Sequence, residues 1–347
     1  MATTLTLPPE TQVRATPGIV EIDVRLTPLD LYRATRAVVW RQVRWLTILA
    51  LAIVSLRVFL GGGVPLLIIS ALFLLFCFVV HSGFLYMGAR STLRTSRVLG
   101  GTIHYSFEPT CLRSRGETFW SSQDWSTLYE VLETSKLLIL RSSSAQKVVI
   151  PKRFFRGGDL EKVRAVARKS PHATSPLAIH SPAPGRLTAS VRMETDDLYQ
   201  GFLILLMRKS HWYAAQMGFS ILLFFVVNPQ FLSSIKFVGI GFIFILFLAI
   251  SLYRASGKAI QTNVAYQSAI AYTFDSSGLE YLASNSACRH HWCNFQSVIE
   301  GSKIFVFCPS NATMIIVPKR SFADATQVME LRELLRTHFH GKLSLKR

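Results

Sequence analysis

Charge is scarce in this chain, and negative charge scarcer still. Charged side chains make up 17% of its 347 residues, with 20 Asp and Glu against 38 Lys and Arg. With 50% hydrophobic residues and a mean hydropathy of +0.32, that composition is too apolar for an ordinary soluble domain and suggests a mixed membrane and soluble protein. Cysteine is sparse and unevenly placed, at Cys77, Cys111, Cys288, Cys293 and Cys308, which argues against a disulfide framework and for a reducing compartment. Residues 1–18 lack the basic start and apolar core of a cleaved signal peptide and read as a disordered tail. No Gly-rich phosphate loop, G-x-S-x-G or H-E-x-x-H motif occurs, which weighs against an enzyme. The basic excess, a formal +18, lies beside apolar runs instead of interleaving with aromatics, which disfavours nucleic acid as a partner.

What the chain does have, it has twice. Trp125 and Trp292, Glu133 and Glu300, Lys136 and Lys303, Pro151 and Pro318, and Phe155 and Phe322 are all separated by the same interval of 167 residues. That shift also superposes Tyr32 on Tyr199, Trp45 on Trp212, Tyr86 on Tyr253 and Tyr105 on Tyr272, so the repeated unit fills nearly half the chain. Glu133 and Glu300 stand in this reading as the solitary pair of matching carboxylates.

Within each unit the pattern changes in the same order. Ile22, Val24 and Leu26 alternate with Asp23 and Arg25, which predicts a strand at 19–26; Thr27-Pro28-Leu29-Asp30 then reads as a helix start. Apolar runs broken by Gly61-Gly62-Gly63 and by Asn228-Pro229 predict transmembrane hairpins at about 45–87 and 212–253, the first short enough that a re-entrant hairpin is the alternative. Arginines flank both hairpins, which places the termini and both β domains on the cytoplasmic side. Short alternating segments then predict a β meander closed by an amphipathic helix, at about 100–169 and again at 268–340, the second unit taking its first strand from 187–193. The expected organisation is a tail at 1–18, unit one at 19–169, a Pro/Ser linker at 170–185, unit two at 186–340 and a basic tail at 341–347. The fold class expected is an α+β membrane protein of two tandem units, each a transmembrane helical hairpin plus a pleckstrin-homology-like β domain closed by a C-terminal helix.

A membrane hairpin, β strands, a Trp, an acidic residue and then I/V-P-K-x-x-F leading into a helix resembles the YcxB-like family of bacterial membrane proteins, here in tandem. The likeness rests on Trp125 with Ile150-Pro151-Lys152-Arg153-Phe154-Phe155 and on Trp292 with Val317-Pro318-Lys319-Arg320-Ser321-Phe322. It implies a cytoplasmic pleckstrin-homology-like fold on a multi-pass protein of the bacterial inner membrane, and it supplies no catalytic site or cofactor.

The candidate binding residues are Lys152, Arg153, Lys319 and Arg320, whose cations after the strand-ending prolines suit phosphate headgroups, with solvated turn residues as the plainer reading. On the lipid reading, replacing all four with Ser weakens binding to anionic vesicles and leaves the melting temperature unchanged. Cys288, His290, His291 and Cys293 are zinc-type residues, but in a strand Cys288 and His290 share one face and His291 and Cys293 the other, so no metal is assigned. Trp125 and Trp292 are expected in the core. The function expected is a non-catalytic integral membrane protein acting as an adaptor, scaffold or regulatory module for a protein partner, a homo-oligomer or membrane lipids. A transport or envelope-sensing component is the alternative, and a metal-dependent enzyme the second.

Overall fold

A computed structural model of the chain describes residues 20–40, 79, 82–142, 147–169, 186–208, 236–310 and 313–346. Unit one begins with β1 (Val20–Arg25), whose alternate residues are buried as the sequence alternation predicts, and continues in the helix 28–40. Its remaining strands are β2 (Thr102–Phe107), β3 (Cys111–Arg115), β4 (Phe119–Asp124), β5 (Glu130–Glu133), β6 (Leu137–Arg141) and β7 (Lys147–Pro151), followed by the helix Asp159–Lys169. Unit two repeats this as β8 (Leu187–Arg192), the helix Thr195–Arg208, β9 (Ala269–Phe274), β10 (Gly278–Ala283), β11 (Ser286–His291), β12 (Ser297–Glu300), β13 (Ile304–Cys308), β14 (Ile315–Pro318) and the helix Ala325–His338, and adds β15 (Lys342–Ser344).

In both units the first strand pairs antiparallel with a strand far along the chain, β1 with β2 and β8 with β9. A small sheet then closes each core: β5-β6-β7 in unit one, and β14-β13-β12-β15 in unit two, where β15 lies parallel to β12. Each unit keeps its own core, with Val24, Phe107, Ile139 and Ile150 fully enclosed in the first and Phe274, Phe305, Phe307 and Leu335 in the second. Trp125 stacks on Phe107 at 6.3 Å and Trp292 on Phe307 at 6.2 Å, and each indole N–H donates to a backbone carbonyl, of Glu108 at 2.8 Å and of Asp275 at 2.9 Å. A buried Trp needs that acceptor, because an unpaired indole N–H in a dry core costs as much as the packing gains.

The two units are joined edge to edge. β4 pairs antiparallel with β11, giving one eight-stranded sheet in the order β1-β2-β3-β4-β11-β10-β9-β8. β4 and β11 are equivalent strands under the 167-residue shift, and Ser121 faces its own counterpart Cys288 across the pairing. A pseudo-twofold axis therefore passes through that residue pair, as in the self-complementary interface of a symmetric dimer. Asn294 supports the joint, accepting from the Thr118 hydroxyl at 2.5 Å and donating to the Thr118 carbonyl at 2.6 Å.

The expected transmembrane hairpins at 45–87 and 212–253 lie for the most part outside the described residues. Among the described residues, no helix is long and apolar enough to cross a membrane. On that finding, the α+β membrane fold and the multi-pass inner-membrane localisation are corrected to a mixed α/β fold with several sheets. The described helical segments beside those spans place some of their side chains on protein. The helix 28–40 seats Leu31 and Ala34 in the core, and Tyr32 meets Tyr86 of the helix 82–95 edge to face at 6.0 Å. In unit two Tyr199 meets Tyr253 in the same way at 5.6 Å, and Ser256 and Ala259 of the helix Lys236–Thr262 are buried while Arg254 and Lys258 interrupt its sequence.

Candidate functional site

The four basic residues singled out by sequence sit on matching single-turn 3-10 helices, Lys152–Phe154 and Lys319–Ser321, each entered from a proline. All four are engaged within their own unit. Arg153 donates both guanidinium nitrogens to Asp30, at 2.8 and 2.7 Å, and Arg320 does the same to Asp197, at 2.5 and 2.7 Å. Lys152 pairs with Glu133 and Lys319 with Glu300, and the same carboxylates take Arg164 and Arg332 from the closing helices.

Local structure dictates the acids. Thr27 caps the first helix: its backbone N–H donates to Asp30 Oδ2 at 2.9 Å while Asp30 N–H donates to Thr27 Oγ1 at 3.3 Å, a reciprocal capping box to which the Thr27 hydroxyl adds a 2.7 Å bond to Asp30 Oδ2. Asp30 and Asp197 are almost wholly enclosed, at 1% and 2% exposure, so their charge requires the arginine. Burial pushes Asp30 upward, but the hydrogen bonds from Arg153 and Thr27 outweigh it and hold the carboxyl below its usual range. Arg164 and then Lys152 hold Glu133 down to about 2. Burial raises Glu300, yet hydrogen bonds from Arg332, Lys319 and the Lys346 backbone bring it to about 2 as well. The arrangement does mechanical work: the turn after β7 or β14 is bolted to the first helix on one side and to the closing helix on the other. Sequence reading missed Asp30 and Asp197, although they are a second pair of matching carboxylates at the 167-residue interval.

Of the zinc-type residues, Cys288 Sγ lies 3.2 Å from His290 Nε2 on one face of β11, whereas Cys293 is exposed beyond the strand end. Among the described residues no group of three or more His, Cys, Asp or Glu could hold a metal ion.

A different site lies on the pseudo-twofold axis. One row of cross-strand neighbours runs over all eight strands, Ile22-Tyr105-Ser114-Ser121-Cys288-Tyr281-Tyr272-Ala189, symmetric in position but not in chemistry: Ser114 matches Tyr281 and Ser121 matches Cys288. Over the middle of this row is a cavity of about 290 Å³ lined from both units. Phe119, Ser121 and Gln123 project from alternate positions of β4, and Ser286, Cys288 and His290 from the matching positions of β11. Lys147 and its counterpart Met314 also line it.

Comparison with protein-family models, curated proteins and solved structures finds no match to this chain. The resemblance to the YcxB-like family therefore rests on the motif residues alone.

The cavity's electrostatics follow from the burial of its titratable groups. Burial raises the Cys288 thiol to about 12 and Tyr266 to about 12, and it lowers His290 to about 4. These groups are neutral at pH 7. Lys147 is brought down to about 8 by burial and by the neighbouring Arg141 cation, so it is still mostly charged at pH 7. Among the described residues its ammonium bonds the Thr35 hydroxyl at 3.1 Å and has no carboxylate in ion-pair distance. Among the described residues, Ser286 Oγ and His290 Nδ1, buried atoms of two lining residues, find no hydrogen-bond partner. Burying a polar group that way costs about 1–3 kcal/mol, which marks each such atom for explanation.

Proposed function

We propose that this chain is a non-catalytic binding protein, an adaptor or regulatory module whose two fused units hold a small molecule in the cavity on their pseudo-twofold axis. The observation that carries the reading is the cavity itself, built from both units across the shared β4–β11 pairing, with the Lys147 cation among its lining residues. Ligand pockets combine an apolar wall with a few convergent polar groups, and at about 290 Å³ this one is at the small end of their range of roughly 300–1,000 Å³. A catalytic Cys–His pair is disfavoured by the same burial: an activated cysteine has its pKa depressed toward the thiolate, and Cys288 is shifted the other way. Headgroup recognition by the basic turns is disfavoured too, because all four side chains are engaged in ion pairs.

A ligand occupying the joint touches both units and so couples their stabilities. Thermal unfolding of the full-length chain against a library of small organic compounds tests this. Compounds that stabilise the native chain should lose their effect in Ser121→Phe, which fills the cavity from β4. At a hundredfold excess over Kd the stabilisation amounts to about 2.7 kcal/mol. Stabilisation that survives in the filled variant overturns the site, and a library without a single stabilising compound overturns the reading.

A further inference from the structure

Duplication has left the two sides of the cavity chemically unequal, and the inequality selects a ligand. Unit one contributes Lys147 where unit two has Met314, and unit two contributes Tyr281 where unit one has Ser114. One side of the axis thus has the cation, and the other has an aromatic and thioether wall of Tyr266, Tyr272, Tyr281 and Met193. Among the described residues no Asp or Glu lines the cavity.

The Lys147 ammonium, which has spent one of its protons on Thr35, keeps donors to spare. Cys288 and His290 stand 3.2 Å apart in the same lining and are neutral at pH 7. A single cation, with no acidic group among the described lining residues to answer it, is complementary to an anion carrying a single charge. Because the opposite wall is apolar and aromatic and the volume is small, the anion must carry a compact apolar body.

We infer that the cavity on the pseudo-twofold axis takes a small organic monoanion, a carboxylate on an apolar or aromatic body, with its charge toward Lys147 and its body against the tyrosine wall of the second unit. This rests on the reading of the cavity as a small-molecule site. It adds the ligand's chemical class and its single orientation, which a symmetric dimer could not impose.

The test is calorimetric titration and thermal unfolding of the full-length chain with matched probes: benzoate and hexanoate, their amides benzamide and hexanamide, and benzylamine and hexylamine. The carboxylates should bind about tenfold or more tightly than the amides, and the amines should not bind, as expected where a charge-assisted hydrogen bond decides affinity. Lys147→Met, which installs the residue already present at the matching position, should reduce carboxylate affinity at least tenfold while the unliganded chain keeps its native circular dichroism. Lys147→Gln serves as a second variant with the same expectation. Carboxylate binding undiminished in both variants overturns the assignment of charge. Amides that bind as well as the acids, and that Ser121→Phe displaces, overturn the anion class and leave the small-molecule site standing. No binding by any of the six probes overturns the monoanion class, whereas failure of the wider library is what sinks the site itself.

Discussion

Replace Arg320 with Gln and the buried carboxylate of Asp197 loses its bidentate partner. The structure allows the cost to be worked out. Asp197 is enclosed, and its Oδ2 also accepts the Glu194 backbone N–H at 2.9 Å. Removing one member of a buried ion pair costs about 3–5 kcal/mol, but the Arg320 side chain is 40% exposed, so solvent screening brings the expectation to about 2 kcal/mol. Arg153→Gln should cost the same, since it holds Asp30 in the same geometry at the same separation of 123 residues. For a unit of this size about 2 kcal/mol lowers Tm by roughly 4–8 °C. The assay is a double-mutant cycle by urea unfolding of the full-length chain, with Arg320→Gln, Asp197→Asn and the double variant. A coupling energy of about 2 kcal/mol is expected, and vesicle binding should be unaffected by the substitutions. A coupling below about 0.5 kcal/mol would refute the bolt and return these residues to the solvated turn that sequence alone suggests. The contrast is sharp, because a lipid-facing role requires an unchanged melting temperature.

Acid should loosen both units through the other arm of the bolt. Glu133 and Glu300 have folded pKa values lowered to about 2, so their stabilisation is complete above the unfolded value near 4.5 and is lost as pH falls from there toward 2; for the enclosed Glu300 that is about 3 kcal/mol, read as a falling urea midpoint that Glu300→Gln makes shallower. Trp125→Phe leaves the buried Glu108 carbonyl without its indole donor and should cost about 1–3 kcal/mol by the same denaturation assay, whereas Trp292→Phe should cost less, because the part-buried Asp275 carbonyl keeps the Gly278 N–H at 3.3 Å. Ser122→Pro removes an N–H that points from β4 to β11, since Asp124 N–H two residues on bonds the Asn285 carbonyl; calorimetry should then resolve two transitions where the native chain gives one, and a single unshifted transition would show that the shared sheet does not couple the units.

How much of this was legible in the sequence follows from what each signal measures. Alternation and turn residues report local geometry, and β3, β6 and β9 fall on the residues so predicted. The helix cap at Thr27 and the packing of both tryptophans were legible for the same reason. Pairing between β4 and β11 was not, because an edge strand carries no residue that names its partner across 167 positions. Lys152 and Arg153 looked like free cations because a basic pair after a proline reads the same whether it meets water or an acid. The repeat held the missing clue: Asp30 and Asp197 match as Glu133 and Glu300 do, and a doubly placed acid implies a doubly placed partner. The cavity left only a faint trace, in positions where the repeat disagrees with itself, such as Lys147 against Met314. Hydropathy pointed to spanning helices at 45–87 and 212–253, whereas the described segments beside those spans place some of their side chains on protein.

The way each unit obtains its first strand sets the order in which it can be assembled. β1 reaches β2 only after a span of about 76 residues has been made and its ends brought together, a closure costing on the order of 4 kcal/mol in chain entropy, and β8 waits for β9 in the same way. A chain emerging from its N-terminus therefore presents β1 early, with an apolar edge and nothing to cover it. The Thr27–Asp30 box shapes the helix beside it at once, but Arg153 arrives only after every strand of the first unit has been laid down. That arginine is a completion latch, and a unit lacking it has been built but not yet locked.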